Sequence, residues 1–264
     1  MHKWDPEVYE KSSSTQKKWA EEVISKIQIT GNERILDIGC GDGKITAYIA
    51  SLVPAGSVVG IDNSAEMISF AQSRFSQARW PNLSFQYGDA SDLRYQNEFD
   101  LVVSFACLHW LLDHRPVLEG IRRSLKSDGR LFIQFGGRGN ANEVLKVVDQ
   151  KISEDRWARY FKDFTFPYGF FGPEIYEDWL EQVGLRAVRV ELIPKDMVQP
   201  GIGGLASWVE STWLPYIERV PDGLQHDFIY DIVEGYVSTH PLDSSGQVHV
   251  KMVRLEVEAE KDRS

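Results

Sequence analysis

The sequence predicts an α/β fold built on a doubly wound parallel sheet, with helices on both faces of the sheet. Up to about residue 137, short apolar segments typical of buried strands alternate with segments of helical periodicity. The first apolar segment, residues 35–38, runs directly into three alternating glycines and then into a helical pattern. Open sheets of this kind bind ligands at the carboxyl ends of their strands, often on a glycine-rich turn.

The elements of this first half follow from local patterns. The first helix carries Trp19, Val23 and Ile27 on one stripe, and Gly31 is predicted to end it. Apolar runs or alternation predict five strands, at residues 35–38, 58–62, 83–87, 99–105 and 131–135. Helical stripes follow the first, second and fourth strands, at residues 44–52, 64–75 and 117–125. The segment 127–129, Ser-Asp-Gly, is predicted to be a turn before the fifth strand.

The pattern changes after residue 137. Further helices are predicted at residues 140–152, 173–184, 205–219 and 223–238, strands at 185–193 and 248–257, and a loop at 194–204. The aromatic-rich segment 157–171 has two interpretations, a cover over an apolar pocket or ordinary helical packing. A final pair of strands separated by helices fits one domain with helical insertions better than it fits two domains.

Composition limits the classes of function. The chain of 264 residues has a formal net charge of −10, which argues against broad nucleic-acid binding. Cys40, Cys107 and the histidines lack metal-ligand spacing, so we expect no metal, and the absence of a Gly-x-Ser-x-Gly motif disfavours a hydrolase. No segment resembles a signal peptide or approaches the ~20 apolar residues of a membrane span. We therefore expect a cytoplasmic protein that binds no membrane.

Acidic residues follow three of the predicted strands. Asp37, Asp62 and Asp89 should lie along one edge of the sheet. A carboxylate beside the glycine loop repels a pyrophosphate and attracts an ammonium or sulfonium group. Lys44 stands where a dinucleotide motif has its third glycine, which disfavours a nicotinamide or flavin cofactor. Each feature also has a plainer interpretation: a tight turn without a ligand, a residue favoured by a helix dipole at Asp62, and a turn aspartate at Asp89.

The segment Asp37–Gly43 resembles the first motif of the class I S-adenosylmethionine-dependent methyltransferases. Leu108-His109-Trp110 is similar to the branch that contains trans-aconitate and juvenile hormone acid methyltransferases, and Trp4-Asp5-Pro6 with Tyr9 and Gln16 resembles the same branch. The resemblance implies a Rossmann-like, seven-stranded and mostly parallel sheet whose last strand is antiparallel, with helical lid insertions. It implies a single methyltransferase domain, residues 1–264, divided into a cofactor-binding core at 1–137, a substrate lid with the sixth strand at 138–246 and the final strand at 247–258.

The same resemblance implies S-adenosyl-L-methionine as cofactor and S-adenosyl-L-homocysteine as product. A carboxylate at Asp62 can accept hydrogen bonds from both hydroxyls of one ribose. By resemblance, Asp89 accepts from the adenine amino group and the amide of Ala90 donates to a ring nitrogen. Met67 would lie near the adenine, although a core position is also open for it. The expected cofactor-binding residues are Asp37, Gly39, Cys40, Gly41, Asp62, Asn63, Met67, Asp89, Ala90 and Phe105.

Relatives in this branch methylate carboxylates, which implies a small carboxylic acid as acceptor and O-methylation by direct in-line displacement. A carboxylate is already a nucleophile at neutral pH, so we assign no obligatory catalytic base. Trp110 and Gln16 could hold the oxygen that does not react, and His109 could donate a hydrogen bond or act as a base. The expected substrate-binding residues are Tyr9, Gln16, His109, Trp110 and Phe171.

Several alternatives remain open from the sequence. The Asn/Asp-Pro-Pro-Tyr motif of many amino-methyltransferases is absent, yet an essential base at His109 would favour N- or C-methylation of a small metabolite. A non-catalytic regulatory protein that binds S-adenosylmethionine is a second alternative, and an RNA methyltransferase, which needs a basic groove, is a third. His109 and Trp110 could also be core residues. We expect a monomer or weak homodimer that binds no nucleic acid.

Overall fold

The computed structural model describes residues 14–261, with side chains from residue 17 onward. Seven strands form one sheet: β1 Arg34–Ile38, β2 Ser57–Asp62, β3 Leu83–Tyr87, β4 Phe99–Phe105, β5 Leu125–Gly136, β6 Arg186–Gln199 and β7 Val248–Glu260. Their spatial order is β3-β2-β1-β4-β5-β7-β6. β1 to β5 pair in parallel with their neighbours, whereas β7 runs antiparallel to β5. The predicted seven-stranded, mostly parallel sheet with an antiparallel last strand is confirmed.

Nine helices are described in residues 14–261: α1 Ser14–Ile24, α2 Lys44–Leu52, α3 Ala65–Arg74, α4 Arg115–Ser124, α5 Asn142–Ile152, α6 Pro173–Val183, α7 Gly201–Thr212, α8 Leu214–Ile217 and α9 Asp222–Thr239. Short 3₁₀ turns lie at Ala90–Asp92, Leu108–Trp110 and Ala158–Tyr160. Among these described helices, none combines the length and the apolar character that crossing a membrane requires.

Both faces of the sheet are covered, as β1 illustrates. Leu36 and Ile38 share a core with residues of α4 and α6, while Ile35 shares the opposite core with residues of α1, α2 and α3. Successive side chains of a strand point to opposite faces. Asp37 therefore lies on the same face as Ile35, toward α2. The prediction of a doubly wound sheet is confirmed by these two cores.

The described chain forms two compact units. The larger unit contains the residues up to Arg138, Tyr168–Ile193 and the chain from Arg254 onward, and it holds β1 to β5 with parts of β6 and β7. The smaller unit contains Gly139–Pro167 and Pro194–Val253, with helices α5, α7, α8 and α9. The predicted division into a cofactor-binding core and a substrate lid stays a prediction.

The aromatic-rich segment is divided between the two units. In the smaller unit, Trp157 is fully buried, packs 5.0 Å from Phe228 of α9 between ring centroids, and donates from its indole to Asp231 at 2.8 Å. Phe161 packs 5.4 Å from the same phenylalanine. These contacts are ordinary helical packing, which is one of the two predicted interpretations. Residues 168–171 belong to the larger unit.

Two predicted boundaries in the first half are wrong. α1 ends at Ile24, and Gly31, with φ of 102°, lies in the loop before β1. β5 begins at Leu125, so the predicted turn at residues 127–129 lies inside the strand. The strand is still bent locally, because Asp128 has a left-handed φ of 63°. The amide of Asp128 donates to the Lys261 carbonyl at 3.2 Å. Asp128 and Lys261 are far apart in the sequence, so no local sequence pattern predicts their pairing.

The predicted loop at residues 194–204 is also wrong. β6 continues through Pro194 to Gln199, and α7 begins at Gly201. Because β6 is the last strand in the described sheet, its outer edge tolerates a residue without a backbone N–H. The predicted helix at 205–219 is divided at Trp213, since Pro215 cannot donate the bond that would continue it.

Two helical glycines of the smaller unit give a matched pair of stability predictions. A Cβ at Gly203 in α7 would meet no atom within 4 Å, so Gly203→Ala should stabilise the protein by up to about 1 kcal/mol through helix propensity. A Cβ at Gly235 in α9 would lie 2.7 Å from Cγ1 of Val147, so Gly235→Ala should destabilise it by about 1–3 kcal/mol. Thermal unfolding should place the wild type between the two variants. Equal effects of the two substitutions would contradict the packing of α9 on α5.

Candidate functional site

The glycine loop after β1 is fixed by backbone geometry. Gly39, Gly41 and Gly43 have φ angles of 74°, 53° and 78°, in the left-handed region that glycine tolerates. The amides of Gly39 and Cys40 donate to the carbonyl of Ile61 at 2.8 and 3.0 Å. The loop is thereby tied to β2, at the carboxyl edge of the sheet.

The loop also has no room for larger residues at two of its glycines. A Cβ at Gly39 would lie 2.2 Å from Sγ of Cys107, and a Cβ at Gly43 would lie 2.6 Å from the ring of Phe85. These distances are far inside van der Waals contact. Gly39 and Gly43 are thus required by both conformation and space.

Asp37 is a buried carboxyl at the end of β1. Its side chain is 1% exposed and accepts a 2.7 Å hydrogen bond from the hydroxyl of Thr46 in α2. Burial raises the pKa of Asp37 to about 7, the Thr46 bond opposes this, and the charge of Asp62 adds to it. At neutral pH the Asp37 carboxyl is therefore partly protonated and partly ionised. A nearby cation would stabilise the ionised form. Sequence reasoning missed Thr46, because its hydroxyl points inward only once α2 packs on β1.

Asp62 joins the glycine loop to the start of α3. One carboxylate oxygen accepts from the amide of Gly41 at 2.9 Å, and the other accepts from the amide of Ser64 at 2.9 Å. Burial raises the pKa of Asp62, and these backbone bonds limit the rise. The helix cap is Ser64, whose hydroxyl accepts from the amide of Met67 at 3.2 Å. Each carboxylate oxygen of Asp62 keeps a second lone pair for a ligand hydroxyl.

Asp89 follows β3 and is exposed. Its carboxylate accepts from the amide of Ser91 at 2.8 Å and caps the 3₁₀ turn Ala90–Asp92. The plainer interpretation, a turn aspartate, is therefore correct as a description of its local bonds. Ala90 lies beside it, half-buried against the sheet core. The adenine role of both residues stays a prediction.

The other predicted cofactor residues differ in exposure. Asn63 is exposed, while Cys40, Met67 and Phe105 are buried. Cys40 and Phe105 belong to the core between the sheet and helices α1, α2 and α3, and burial raises the pKa of the Cys40 thiol well above its usual range. Such a pKa disfavours the reactive thiolate form of Cys40. The ligand contacts predicted for this group stay predictions.

A strained turn carries His109 beyond the end of β4. Ala106 has φ of 54°, and its amide donates to the Gln134 carbonyl of β5 at 2.8 Å. His109 follows in a 3₁₀ turn and is 9% exposed. Its Nδ1 atom is buried and has no hydrogen-bond partner among the described residues. Burial, followed by the positive charge of Arg254, holds the pKa of His109 well below its usual range, so the imidazole is neutral near pH 7.

Aromatic rings surround the His109 side chain within the larger unit. The ring centroids of Trp110, Tyr168 and Phe170 lie 5.6, 6.2 and 6.0 Å from that of His109. Tyr168 and Phe170 stack in parallel at 5.4 Å. The amide of Gly169 donates to the His109 carbonyl at 2.9 Å, which fixes this segment on the turn. The arrangement makes a largely aromatic wall whose polar groups are the His109 imidazole, the Trp110 indole N–H and the Tyr168 hydroxyl.

In the neighbouring histidine, His114, both ring nitrogens have hydrogen-bond partners. His114 is completely buried, with Nδ1 2.8 Å from the hydroxyl of Tyr176 and Nε2 3.1 Å from the carbonyl of Leu111. Burial lowers the pKa of His114 to about 4. Phe171 packs edge-on against this ring at 4.9 Å and against Trp179 at 4.7 Å. Phe171 therefore has core contacts, and its predicted contact with substrate stays a prediction.

Sequence reasoning missed a buried arginine at the same edge of the sheet. Arg254 of β7 lies opposite Gly136, the last residue of β5, and is 4% exposed. Its guanidinium carbon lies 5.3 Å from the centroid of the Trp19 ring. The alternation of Val250 and Met252 predicts an inward position for residue 254, and this was the available signal.

Two predicted substrate residues cannot be placed, because Tyr9 and the side chain of Gln16 lie outside the described residues. In the described part of the chain, residues 14–261, no cluster of three or more His, Cys, Asp or Glu side chains could hold a metal ion.

Comparison with known proteins places these features in context. The family model described as "Methyltransferase domain" matches residues 29–165. The trans-aconitate 2-methyltransferase of Deinococcus radiodurans is 30% identical over 239 residues, which cover 88% of this chain and 89% of that protein. The trans-aconitate 2-methyltransferase of Variovorax paradoxus is 25% identical over 99% of both chains.

Solved structures share the fold. YcgJ of Bacillus subtilis aligns with a TM-score of 0.61 and 18% identity over 93% of this chain and 98% of that one. Phosphoethanolamine N-methyltransferase 2 of Haemonchus contortus, in complex with S-adenosyl-L-methionine, aligns with a TM-score of 0.60 and 19% identity over 98% of this chain and 57% of that one.

Proposed function

Because the chain belongs to the S-adenosylmethionine-dependent methyltransferases, we propose that it methylates a carboxylate oxygen of a small acid. The observation that carries this proposal is the extent of similarity to the trans-aconitate 2-methyltransferases, which reaches 99% of this chain in one case. The similarity therefore includes the segments after residue 137, where acceptor specificity is expected. The net charge of −10 supports a small-molecule acceptor over a nucleic acid.

In this proposal the carboxyl edge of β1, β2 and β3 holds the cofactor. The free lone pairs of Asp62 accept from the ribose hydroxyls, while its occupied lone pairs keep the glycine loop in place. Gly39 and Gly41 leave space for the amino-acid part of the cofactor, whose cationic groups are attracted by Asp37. Asp89 and Ala90 contact the adenine.

The chemical step needs no proton transfer. A lone pair of the carboxylate oxygen forms a bond to the methyl carbon, the carbon–sulfur bond breaks, and its electron pair stays on sulfur. The products are a neutral ester and S-adenosylhomocysteine. His109 is neutral and buried, so its role here is to hold the acceptor by hydrogen bonding. Positioning and exclusion of water supply the rate enhancement.

The acceptor is tested by kinetics with a panel of small carboxylic acids and small amines, measured as release of S-adenosylhomocysteine. We expect turnover with acids and a kcat/KM that is flat from about pH 6 to 9 once cofactor is saturating, because a carboxylate with a pKa near 4 is already ionised. Turnover with amines only, rising with pH and abolished by His109→Phe, would instead establish N-methylation with a histidine base. Cofactor binding without turnover on any member would favour a regulatory protein.

Asp37 gives a prediction for the pH dependence of cofactor binding. Its carboxyl is protonated below about pH 7, and only the ionised form attracts the cationic cofactor. The affinity for S-adenosylmethionine should therefore rise about tenfold per unit between roughly pH 5.5 and 6.5 and level off above pH 7. Calorimetry should show the slope in the wild type and a weaker, pH-independent affinity in Asp37→Asn.

The same carboxyl predicts a change in the stability of the unliganded protein. Its pKa is 3.8 when unperturbed and about 7 when folded, so the folded state binds the extra proton between these values. The free energy of unfolding therefore falls as pH rises through this window. Asp37→Asn, which can still accept from Thr46, should be more stable than the wild type at pH 8. A lower unfolding temperature of this variant at pH 8 would contradict the burial of an ionisable carboxyl.

A further inference from the structure

Arg254 is a buried cation at the edge of the sheet where the acceptor is expected. Its backbone pairs with Gly136 at the carboxyl end of β5, and its side chain packs over Trp19. An arginine keeps its charge in any environment of the protein, and its planar guanidinium suits a carboxylate. Burial makes that interaction stronger than at a surface.

His109 lies at the same edge, beyond the end of β4. β4 and β7 are the two neighbours of β5, so the turn after β4 and the residue opposite Gly136 flank the end of β5 from both sides. Burial and the charge of Arg254 both act to lower the pKa of His109. The Nδ1 of His109 is nine-tenths buried together with its ring and lacks a partner among the described residues. A buried nitrogen in this state has an unused hydrogen bond.

The two groups suit different parts of an anion. In the displacement, the reacting carboxylate loses its negative charge as the ester forms. A guanidinium paired with that carboxylate would stabilise the ground state more than the transition state and would slow the reaction. A guanidinium paired with a carboxylate that does not react keeps its full attraction throughout the step. A neutral N–H donor is better suited to the reacting group.

We propose that Arg254 determines acceptor specificity by binding a second, non-reacting carboxylate, while the Nδ1–H of His109 donates to the carboxylate that is methylated. This inference rests on the proposed function and narrows it to acids with at least two carboxylates. It assigns His109 the Nδ1–H tautomer. Neither residue moves a proton.

The test compares three acids of increasing carboxylate number: crotonate, fumarate and trans-aconitate. With the wild type, kcat/KM should be at least about 100-fold higher for the two polycarboxylates than for crotonate, the range expected for a charged pair buried on binding. Arg254→Gln should raise KM for fumarate and trans-aconitate about 100-fold, with kcat changed less than about fivefold, and should leave crotonate unaffected. Arg254→Lys should recover part of the loss. Arg138→Gln is the matched control, since Arg138 follows β5 but is exposed in an ion pair with Glu174.

His109 is tested separately by two substitutions. Asn places an amide N–H near the position of Nδ1, whereas Phe keeps a ring and removes the donor. His109→Asn should retain kcat/KM within about tenfold, and His109→Phe should lower it for all three acids alike by about 10- to 100-fold. Affinity for S-adenosylhomocysteine should be unchanged in all variants, which separates acceptor binding from misfolding.

The outcomes distinguish this inference from the proposed function. If the wild type methylates acids and Arg254→Gln alters all of them equally, or none, the specificity role is wrong and carboxylate methylation stands. If the wild type binds S-adenosylhomocysteine but methylates no acid, both the specificity role of Arg254 and the proposed carboxylate methylation are wrong. If His109→Asn and His109→Phe lose the same activity, His109 does not donate through Nδ1.

Discussion

Asp62→Ala is expected to weaken the binding of S-adenosylhomocysteine by at least about 100-fold, because it removes the two charged hydrogen bonds that we propose to the ribose, each worth about 1.5–3 kcal/mol. It also removes the acceptor of the Gly41 and Ser64 amides, which hold the loop and the start of α3. Calorimetry on the purified variant measures this loss directly. Asp62→Asn keeps one carbonyl acceptor and should lose less affinity.

Two controls make this result interpretable. Asp100→Ala removes a carboxylate that lies in an exposed ion pair with Lys126, and it should bind S-adenosylhomocysteine as the wild type does. Asp62→Asn removes a buried charge, since burial raises the pKa of Asp62, but it can accept only one of the two amide hydrogen bonds from Gly41 and Ser64. Its thermal unfolding is therefore measured beside binding, and an unfolding temperature close to that of the wild type shows that its loss of affinity reflects binding. An Asp62→Ala variant with wild-type affinity would remove the ribose assignment.

Gly39→Ala is expected to abolish cofactor binding and to lower the free energy of unfolding by about 2–5 kcal/mol, the combined cost of a left-handed non-glycine residue and an overpacked contact. The new Cβ would lie 2.2 Å from Sγ and 2.4 Å from Cβ of Cys107, so rotation of the cysteine side chain cannot relieve the overlap. Denaturant unfolding and calorimetry measure the two effects.

A double substitution separates the two causes. In Gly39→Ala with Cys107→Gly, the steric overlap is removed and only the φ of 74° remains unfavourable for alanine. We expect the double variant to regain more than half of the lost stability. Gly203→Ala is the matched glycine control, which should bind cofactor normally. Unchanged stability of Gly39→Ala alone would contradict the left-handed turn at Gly39 and its close contact with Cys107.

The loop and its edge could be predicted because their signals are local. The apolar run of β1, the three glycines and the helical stripe of α2 lie within about 20 consecutive residues and determine one another's conformation. Asp37 and Asp62 could be placed on one edge because strands in a parallel sheet end on the same side. Their burial could not be predicted, since it depends on α2 and on Thr46 packing over β1.

What could not be predicted depends on contacts between distant residues. His109 and His114 look alike in the sequence, yet His114 is satisfied by Tyr176, which is 62 residues away, while Nδ1 of His109 is not satisfied by any described residue. Pro194 can lie within a strand because β6 is at the edge of the sheet, where a residue without a backbone N–H is tolerated. Arg254 is brought beside Gly136, at the carboxyl end of β5, only once β7 pairs antiparallel with β5.

The central claim is methyl transfer from S-adenosylmethionine to a carboxylate oxygen. It is tested most directly by mass spectrometry of trans-aconitate incubated with the purified protein and S-adenosylmethionine carrying a deuterated methyl group. The predicted result is a monoester that carries the intact labelled methyl group, forms in equal amount with S-adenosylhomocysteine and is hydrolysed by mild base. Label found in a base-stable product, on nitrogen or carbon of another acceptor, or an absence of transfer to any polycarboxylic acid, would contradict the claim.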